Sequence, residues 1–432
     1  MRFSETFFGP GVRYGRASAH ASISFPEFVG KHSGSASPET RTTLTYIQFP
    51  MLPLAGVKVI EFCQVLAGPF CGCLLADMGA DVIKVEPPDG DLMRAWPPLR
   101  DGYSQYFASV NRNKRSVTLD LKDAAGLDAA RRLALSADVV IENFRPGVMA
   151  KFGLDHATLA QDKPALVYCS VSAFGQSGPR AKEGGFDMTL QAMSGVMSVT
   201  GEADGRPVKC GIPIADFTAG LYAAFSVVSA LHKANRGAGG DHLDVSMLGA
   251  MLGIANLQTS EYFGTGRDPV RLGSAHPMNA PYAAFRCRDG YIALAAGTDK
   301  LWQAACEGIG RLDLMQDARF ASPSLRAQHQ HELGELLEQA FANYDVARLL
   351  EIFNARGVPC SPLNSYSQVL ADPQVQHMQW VEDITLPNGV NTQTIVSPQR
   401  VSGQRLGIYR APPALGQHTV EVLSEIGIKS TA

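Results

Sequence analysis

From Leu54 onward, short runs of β-branched residues alternate with stretches of helical spacing, and this alternation narrows the open folds more than any other feature. Val57–Phe62 is an apolar run of strand length, followed by a Gly68-Pro69 turn and helical spacing over Phe70–Met78. Asp81–Glu86 reads as a second strand, stopped by Pro87-Pro88, since proline has no N–H to extend a ladder. Ser116–Leu121, Asp138–Phe144 and Ala165–Val171 are further strands, and Ala124–Ser136 spaces Leu127, Ala130, Leu133 and Ala134 on one helical face. Strands that alternate with helices pair in parallel through crossovers. The pattern predicts an α/β protein built on a doubly wound, Rossmann-like sheet.

Farther along, Phe217–His232 and Val245–Leu257 carry apolar helix patterns, and Leu325–Phe341 is amphipathic. Ala280–Ala295 reads as two strands joined at Arg288-Asp289-Gly290, a hairpin signal. The expected layout is a large domain over 52–235, linker helices over 236–269 and a smaller α+β domain over 270–370. A Pro-rich C-terminal segment, 371–432, is expected to return to the large domain. Residues 1–51 stand apart: the first fifty hold five Lys/Arg, three Asp/Glu and seven Ser, with no sustained period. They are expected to be a flexible extension, or translation from a start upstream of Met51. A targeting peptide is the other reading, although a signal-type apolar core is missing.

Charge sets further bounds. The 38 Lys+Arg against 41 Asp+Glu leave a net charge of −3, so no basic surplus points to nucleic acid or to an anionic membrane. The longest apolar stretch, Phe217–Leu231, is interrupted by Gly220, Ser226 and Ser229. It is shorter than the ~20 residues of a spanning helix, so no membrane association is expected. The eight cysteines make no CxxC pair, and several lie in apolar runs, which predicts a reduced, cytoplasmic protein without a metal site. A dinucleotide enzyme would place GxGxxG after the first strand, whereas Gln64–Phe70 has Pro69 where a tight glycine turn is required. No Walker loop, HExxH or GxSxG is present either.

More specific segments punctuate this frame: Leu66-Ala67-Gly68-Pro69-Phe70, Leu75–Glu86, Asn113-Lys114-Arg115-Ser116 and Asp138–Gly147. Ile214-Ala215-Asp216, Gly357-Val358-Pro359-Cys360 and Pro412–Gly416 complete the series. In this order they resemble the class III CoA-transferases, a family that includes formyl-CoA and carnitine CoA-transferases and α-methylacyl-CoA racemase. The resemblance runs from Leu54 to the C-terminus. It implies an acyl-CoA:carboxylate CoA-transferase working as an interlocked homodimer. CoA or acyl-CoA would be substrate, with a carboxylic acid as acceptor and no permanently bound cofactor.

By its place in the motif, Asp216 resembles the family nucleophile, which attacks the thioester to give a mixed anhydride and then an aspartyl-CoA thioester. Read from spacing alone, Asp216 is an N-cap of the Phe217–His232 helix, where the helix dipole favours an ionised carboxylate. The resemblance places CoA contacts at Gln64, Val65, Leu66 and Ala67, at Leu119, Asp120, Leu121 and Lys122, at Asn143, Phe144 and Arg145, and at Lys151. Lys122, Arg145 and Lys151 are expected either to meet phosphate oxygens or to be solvated surface charges. Asp187 matches an acidic position beside the CoA site, or else caps a helix over Met188–Val196. Pro87 stands where relatives often carry an adenine-stacking Arg.

Two departures bear on the reaction. The racemase branch has His where this chain has Phe186, and phenylalanine cannot shuttle a proton. A racemase-type isomerase is therefore disfavoured, as is a non-catalytic CoA-binding protein, given Asp216. The glycine-rich loop of formyl-CoA transferase is replaced by Leu272–Asn279, which disfavours a formyl-specific enzyme. Within it Gly273 and His276 are candidate acceptor contacts, with Arg267 and Arg271 as candidates for a second carboxylate. His418 reads as structural.

Overall fold

The computed structural model describes residues 52–429, so the expected extension over 1–51 lies outside the described residues. Six strands form one sheet: β1 (Lys58–Phe62), β2 (Asp81–Glu86), β3 (Arg115–Thr118), β4 (Val139–Glu142), β5 (Val167–Ser172) and β6 (His242–Ser246). Their spatial order is β3-β2-β1-β4-β5-β6, and every pairing is parallel. The order reverses direction at the β1–β4 boundary, which opens a crevice beyond the carboxyl ends of those two strands. A parallel sheet is covered on both faces, and the strand residues divide accordingly. Val59, Val82, Val139 and Ile141 face α1 (Ala67–Asp77) and the long apolar helix. Their neighbours Ile60, Ile83 and Val140 face α2 (Ala124–Ser136).

The strands are shorter than the apolar runs suggested: β3 stops at Thr118 and β4 at Glu142. Both then give way to loops, and those loops carry the candidate CoA contacts. After β5 comes α3 (Asp187–Met193), then α4 (Ile214–Ala234). At 21 residues, α4 is long and apolar enough to cross a membrane by length and composition, against the expectation from Phe217–Leu231. It gains that length at both ends: Ile214–Asp216 come before the apolar stretch, and helix geometry continues through His232 and Lys233, basic residues suited to the C-terminal dipole. Nine of its residues are buried in the protein core, where it lies against α1 and β5. It is a core helix.

Two helix expectations are corrected. Val245–Leu257 is the end of β6 followed by α5 (Met247–Ile254) and α6 (Asn256–Thr265), separated at Ala255. The Ser246 hydroxyl takes the Gly249 N–H and so starts a helix where apolar periodicity alone ran on. Leu325–Phe341 is divided at His329 into Pro323–Gln328 and Gln330–Phe341, the second being α7. The hairpin stands as read: β7 (Tyr282–Cys287) and β8 (Gly290–Ala295) pair antiparallel around Arg288-Asp289. With β9 (Cys360–Pro362) they form a three-stranded sheet with its own core of Phe285, Ile292, Trp302, Leu337, Phe341 and Phe353. The C-terminal tail runs back to β3, where the Gly416 N–H donates to Ser116 Oγ and the His418 N–H to the Ser116 carbonyl. His418 Nδ1 in turn accepts from the Ser116 N–H at 3.2 Å, which is a structural use of that side chain.

Candidate active site

The crevice at the carboxyl ends of the strands holds a cavity of about 300 Å³. The turn after β1 supplies Gln64, Val65, Leu66 and Ala67, the turn after β4 supplies Asn143, Phe144 and Arg145, and α4 supplies Asp216. Two side-chain amide bonds tie the first two turns together. Asn143 Oδ1 accepts from the Gln64 N–H at 2.9 Å, and Asn143 Nδ2 donates to the Gln64 carbonyl at 2.8 Å. The Arg145 guanidinium lies against Gly184, where a Cβ would stand 2.8 Å from its Nη2.

Asp216 is not an N-cap. Helix α4 starts two residues earlier, at Ile214 with Pro213 before it, and Asp216 sits in the first turn facing the cavity. Gly220, one turn on, sets how close α4 comes to α1: a Cβ there would meet the Ala67 carbonyl at 2.8 Å and the Phe70 ring at 2.9 Å. The Ala67 backbone favours the charged form of the Asp216 carboxyl. Burial acts the other way and dominates, and the negative charge of Asp187 adds to it, so the Asp216 pKa is pushed up to about 7. The expectation that the helix dipole keeps this carboxylate comfortably ionised is therefore reversed.

Asp187 is the first residue of α3 and does not cap it. It caps α4 instead: Oδ1 accepts from the Ala215 N–H at 2.9 Å, while Oδ2 accepts from Gln191 Nε2 at 2.7 Å. Gln191 is fully buried and takes the Cys210 N–H on its own carbonyl oxygen at 2.8 Å. The chain Asp187–Gln191–Cys210 thus fixes the segment that leads into Asp216.

The other candidates are spread more widely. Leu119, Asp120, Leu121 and Lys122 follow β3 on the same edge of the sheet, three strand spacings from β4, or roughly 14 Å. Leu119 is buried, Lys122 is exposed, and Asp120 accepts the Lys122 N–H. Lys151 ends the short helix Val148–Lys151 and is exposed. Gly273 and His276 do not line the cavity with Asp216 in this chain. The Gly273 N–H donates to the Gly201 carbonyl, and the His276 ring packs edge-on against Tyr282 while its Nδ1 takes the Met278 N–H. Arg271 spends its guanidinium on the carbonyls of Glu202, Ala203 and Gly205. Residue patterns missed Ser172, Gly185 and Met247, which also line the cavity. Ser172 ends β5 and Met247 comes directly after β6, so the rule that ligands sit beyond parallel strand ends was the available signal.

The sequence profile of CoA-transferase family III matches residues 54–419. Succinate–glutarate CoA-transferase of Agrobacterium fabrum is 40% identical over 382 residues, covering 87% of this chain and 96% of that protein. Succinyl-CoA:glutarate CoA-transferase of Mus musculus is 35% identical over 379 residues, covering 87% of each chain. A crystal structure of a CAIB/BAIF family protein from Brucella suis superimposes with a TM-score of 0.79 at 38% identity, over 87% of this chain and all of the other.

Proposed function

Because the chain belongs to CoA-transferase family III, we propose that it moves CoA from an acyl-CoA to a free carboxylic acid through covalent intermediates on Asp216. The observation that carries this reading is an aspartate carboxyl opening into a cavity formed by the strand-end loops. A deprotonated Asp216 oxygen attacks the thioester carbonyl carbon, the C–S bond breaks and CoA thiolate leaves, giving an acyl-aspartyl anhydride. The thiolate then attacks the aspartyl carbonyl and expels the donor acid as its carboxylate. The acceptor carboxylate attacks the resulting aspartyl-CoA thioester and releases thiolate. Attack of that thiolate on the acceptor's acyl carbon forms the new acyl-CoA and frees Asp216. No proton or redox equivalent is consumed.

The two relatives above, named for succinate or succinyl-CoA and glutarate, suggest a succinyl-CoA donor and a glutarate-like dicarboxylate acceptor. CoA would lie along the carboxyl edge of the sheet, from Leu119–Lys122 past Asn143–Arg145 to Asp216, with Lys122, Arg145 and Lys151 as phosphate partners. A second copy of the chain would cover the apolar face of α4, where Leu221 and Phe225 are exposed. The test is turnover of succinyl-CoA with a panel of mono- and dicarboxylic acids, alongside hydroxylamine trapping. New CoA thioesters with a hydroxamate on the Asp216 peptide are expected. Full turnover by Asp216→Ala would refute the covalent path.

A further inference from the structure

One apolar side chain in the Asp216 cavity has almost no packing of its own. Val65, Leu66, Phe144, Val171 and Met247 line the same space but are half-buried or buried in the protein, whereas Phe186 is 79% exposed. Its backbone, by contrast, is fixed. The Phe186 N–H donates to Thr189 Oγ1 at 3.0 Å, and the Thr189 hydroxyl donates to the Phe186 carbonyl at 2.8 Å. On one side of it, Gly185 is pressed onto the end of β5 and onto α3, so that a Cβ there would stand 2.8 Å from the Ala173 Cβ and collide with Leu190. On the other side, Asp187 accepts the Ala215 N–H at 2.9 Å, and Ala215 is the residue before Asp216. Ring and carboxyl therefore hang from one hydrogen-bonded frame around one cavity. Only the side-chain torsions of Phe186 are left to move.

The proposed reaction has a side path that such a ring is placed to block. Water can attack the aspartyl-CoA thioester in place of the acceptor carboxylate. Its oxygen bonds to the aspartyl carbonyl carbon and the C–S bond breaks. One water proton goes to the thiolate and the other to solvent, leaving free CoA and the Asp216 carboxylate. The net result is hydrolysis of the acyl-CoA. A carboxylate is a weak nucleophile and water far outnumbers it, so transfer needs a site from which loose water is excluded. We propose that Phe186 is a specificity-determining residue: its ring covers the CoA thioester on Asp216 and so selects the acceptor carboxylate against water. This rests on Asp216 being the acylated group. What the ring packs on is apolar, the methylenes beside the CoA sulfur and those of the acceptor acid, and binding them removes from water a face that the free protein leaves exposed.

The experiment supplies the full-length protein with succinyl-CoA and glutarate and follows two products, glutaryl-CoA by chromatography and free CoA by its thiol. Phe186→Ala removes a side chain that is mostly in water, so its Tm should stay near the wild-type value. The ratio of free CoA to glutaryl-CoA should rise about tenfold or more, the worth of covering a phenylalanine side chain. Phe186→Leu, which restores apolar bulk without the ring, should reverse at least half of that rise on a logarithmic scale. In Phe186→Ala/Asp216→Asn the release of free CoA should fall to the spontaneous rate, because the hydrolysis passes through Asp216. Slower transfer at an unchanged ratio would make the ring an ordinary binding contact and overturn the proposal. So would a ratio that Phe186→Leu leaves at the alanine value, or hydrolysis that survives Asp216→Asn. A wild type that forms neither glutaryl-CoA nor a hydroxamate on Asp216 refutes the proposed reaction itself, and this assignment with it.

Discussion

At the scale of one residue, the proposed chemistry rests on a single carboxyl whose environment makes its behaviour measurable. With a folded pKa near 7, Asp216 is largely protonated at pH 5 and ionised at pH 8. Transfer limited by attack should therefore rise with pH through about 7, and a flat kcat profile between pH 5.5 and 8 would contradict this. Stability has the opposite sense. The folded pKa lies above the unfolded value of about 3.9, so the folded state holds the proton more tightly and loses stability as pH rises from about 4 to 7. Asp216→Asn, neutral throughout, escapes that loss. Its Tm should exceed the wild-type value increasingly from pH 5 to 7 and by a constant margin above, even as transfer disappears. Phe186 supports a second outcome at this scale. It lines the same cavity, and racemisation needs a proton acceptor and a donor on opposite faces of Cα. Asp216 serves one face only, so a 2-methylacyl-CoA incubated in D₂O should gain no deuterium at Cα, which mass spectrometry reads directly. The candidacy of Asp216 was legible from Ile214-Ala215-Asp216, but its raised pKa was not, because burial and Asp187 act on it from segments far apart in the chain.

Among the elements, the contact between α1 and α4 decides whether the parts of the site meet. The α4 side of the contact is built of small residues: Gly220 meets Ala67 and Phe70 of α1, and Ala219 and Ala223 are buried in one cluster with Ala67, Cys71 and Leu75. A Cβ at Gly220 would have to displace the Ala67 carbonyl and Phe70, backbone and ring that cannot both yield. Gly220→Ala is therefore expected to cost about 1–3 kcal/mol by overpacking, despite alanine's better helix propensity. It should also lower kcat, since Ala67 and Asp216 line the same cavity and a shift of one helix against the other reshapes it. Unchanged denaturant midpoint and turnover would show that the helices have slack there. Sequence periodicity located both helices but not their starts. Pro213 and Ile214 hold few polar cues, and the cap on α4 comes from Asp187, twenty-eight residues earlier. Gly68-Pro69, read as a turn before the helix, lies in the first turn of α1, where proline needs no hydrogen-bond partner for its missing N–H. The left-handed φ of +66° at Val65 was not legible because nothing local favours it.

For the molecule as a whole, the parallel sheet was readable because both of its faces are covered, which leaves unbroken runs such as Val139-Val140-Ile141. What spacing does not encode is which surfaces await a partner. Leu221, Phe225 and Val228 project from α4 at intervals of four and three residues, with Tyr222 exposed beside Leu221, and Phe225 is 73% exposed. That interval describes one continuous stripe on a helix whose other side is buried in the core. An apolar stripe left to water would be a liability in a chain of net charge −3, and a second copy bringing the same stripe is the simplest cover. A charge placed in the middle of such an interface would lose its hydration on association. Phe225→Glu should therefore weaken self-association while leaving the monomer's sheet and cavity intact, because Phe225 has no place in the core of its own chain. Light scattering on the wild type is expected to give twice the chain mass, and on Phe225→Glu a concentration-dependent shift toward the single chain. A wild-type monomer, or a dimer indifferent to Phe225→Glu, would move the interface off this helix and leave the stripe to some other occupant.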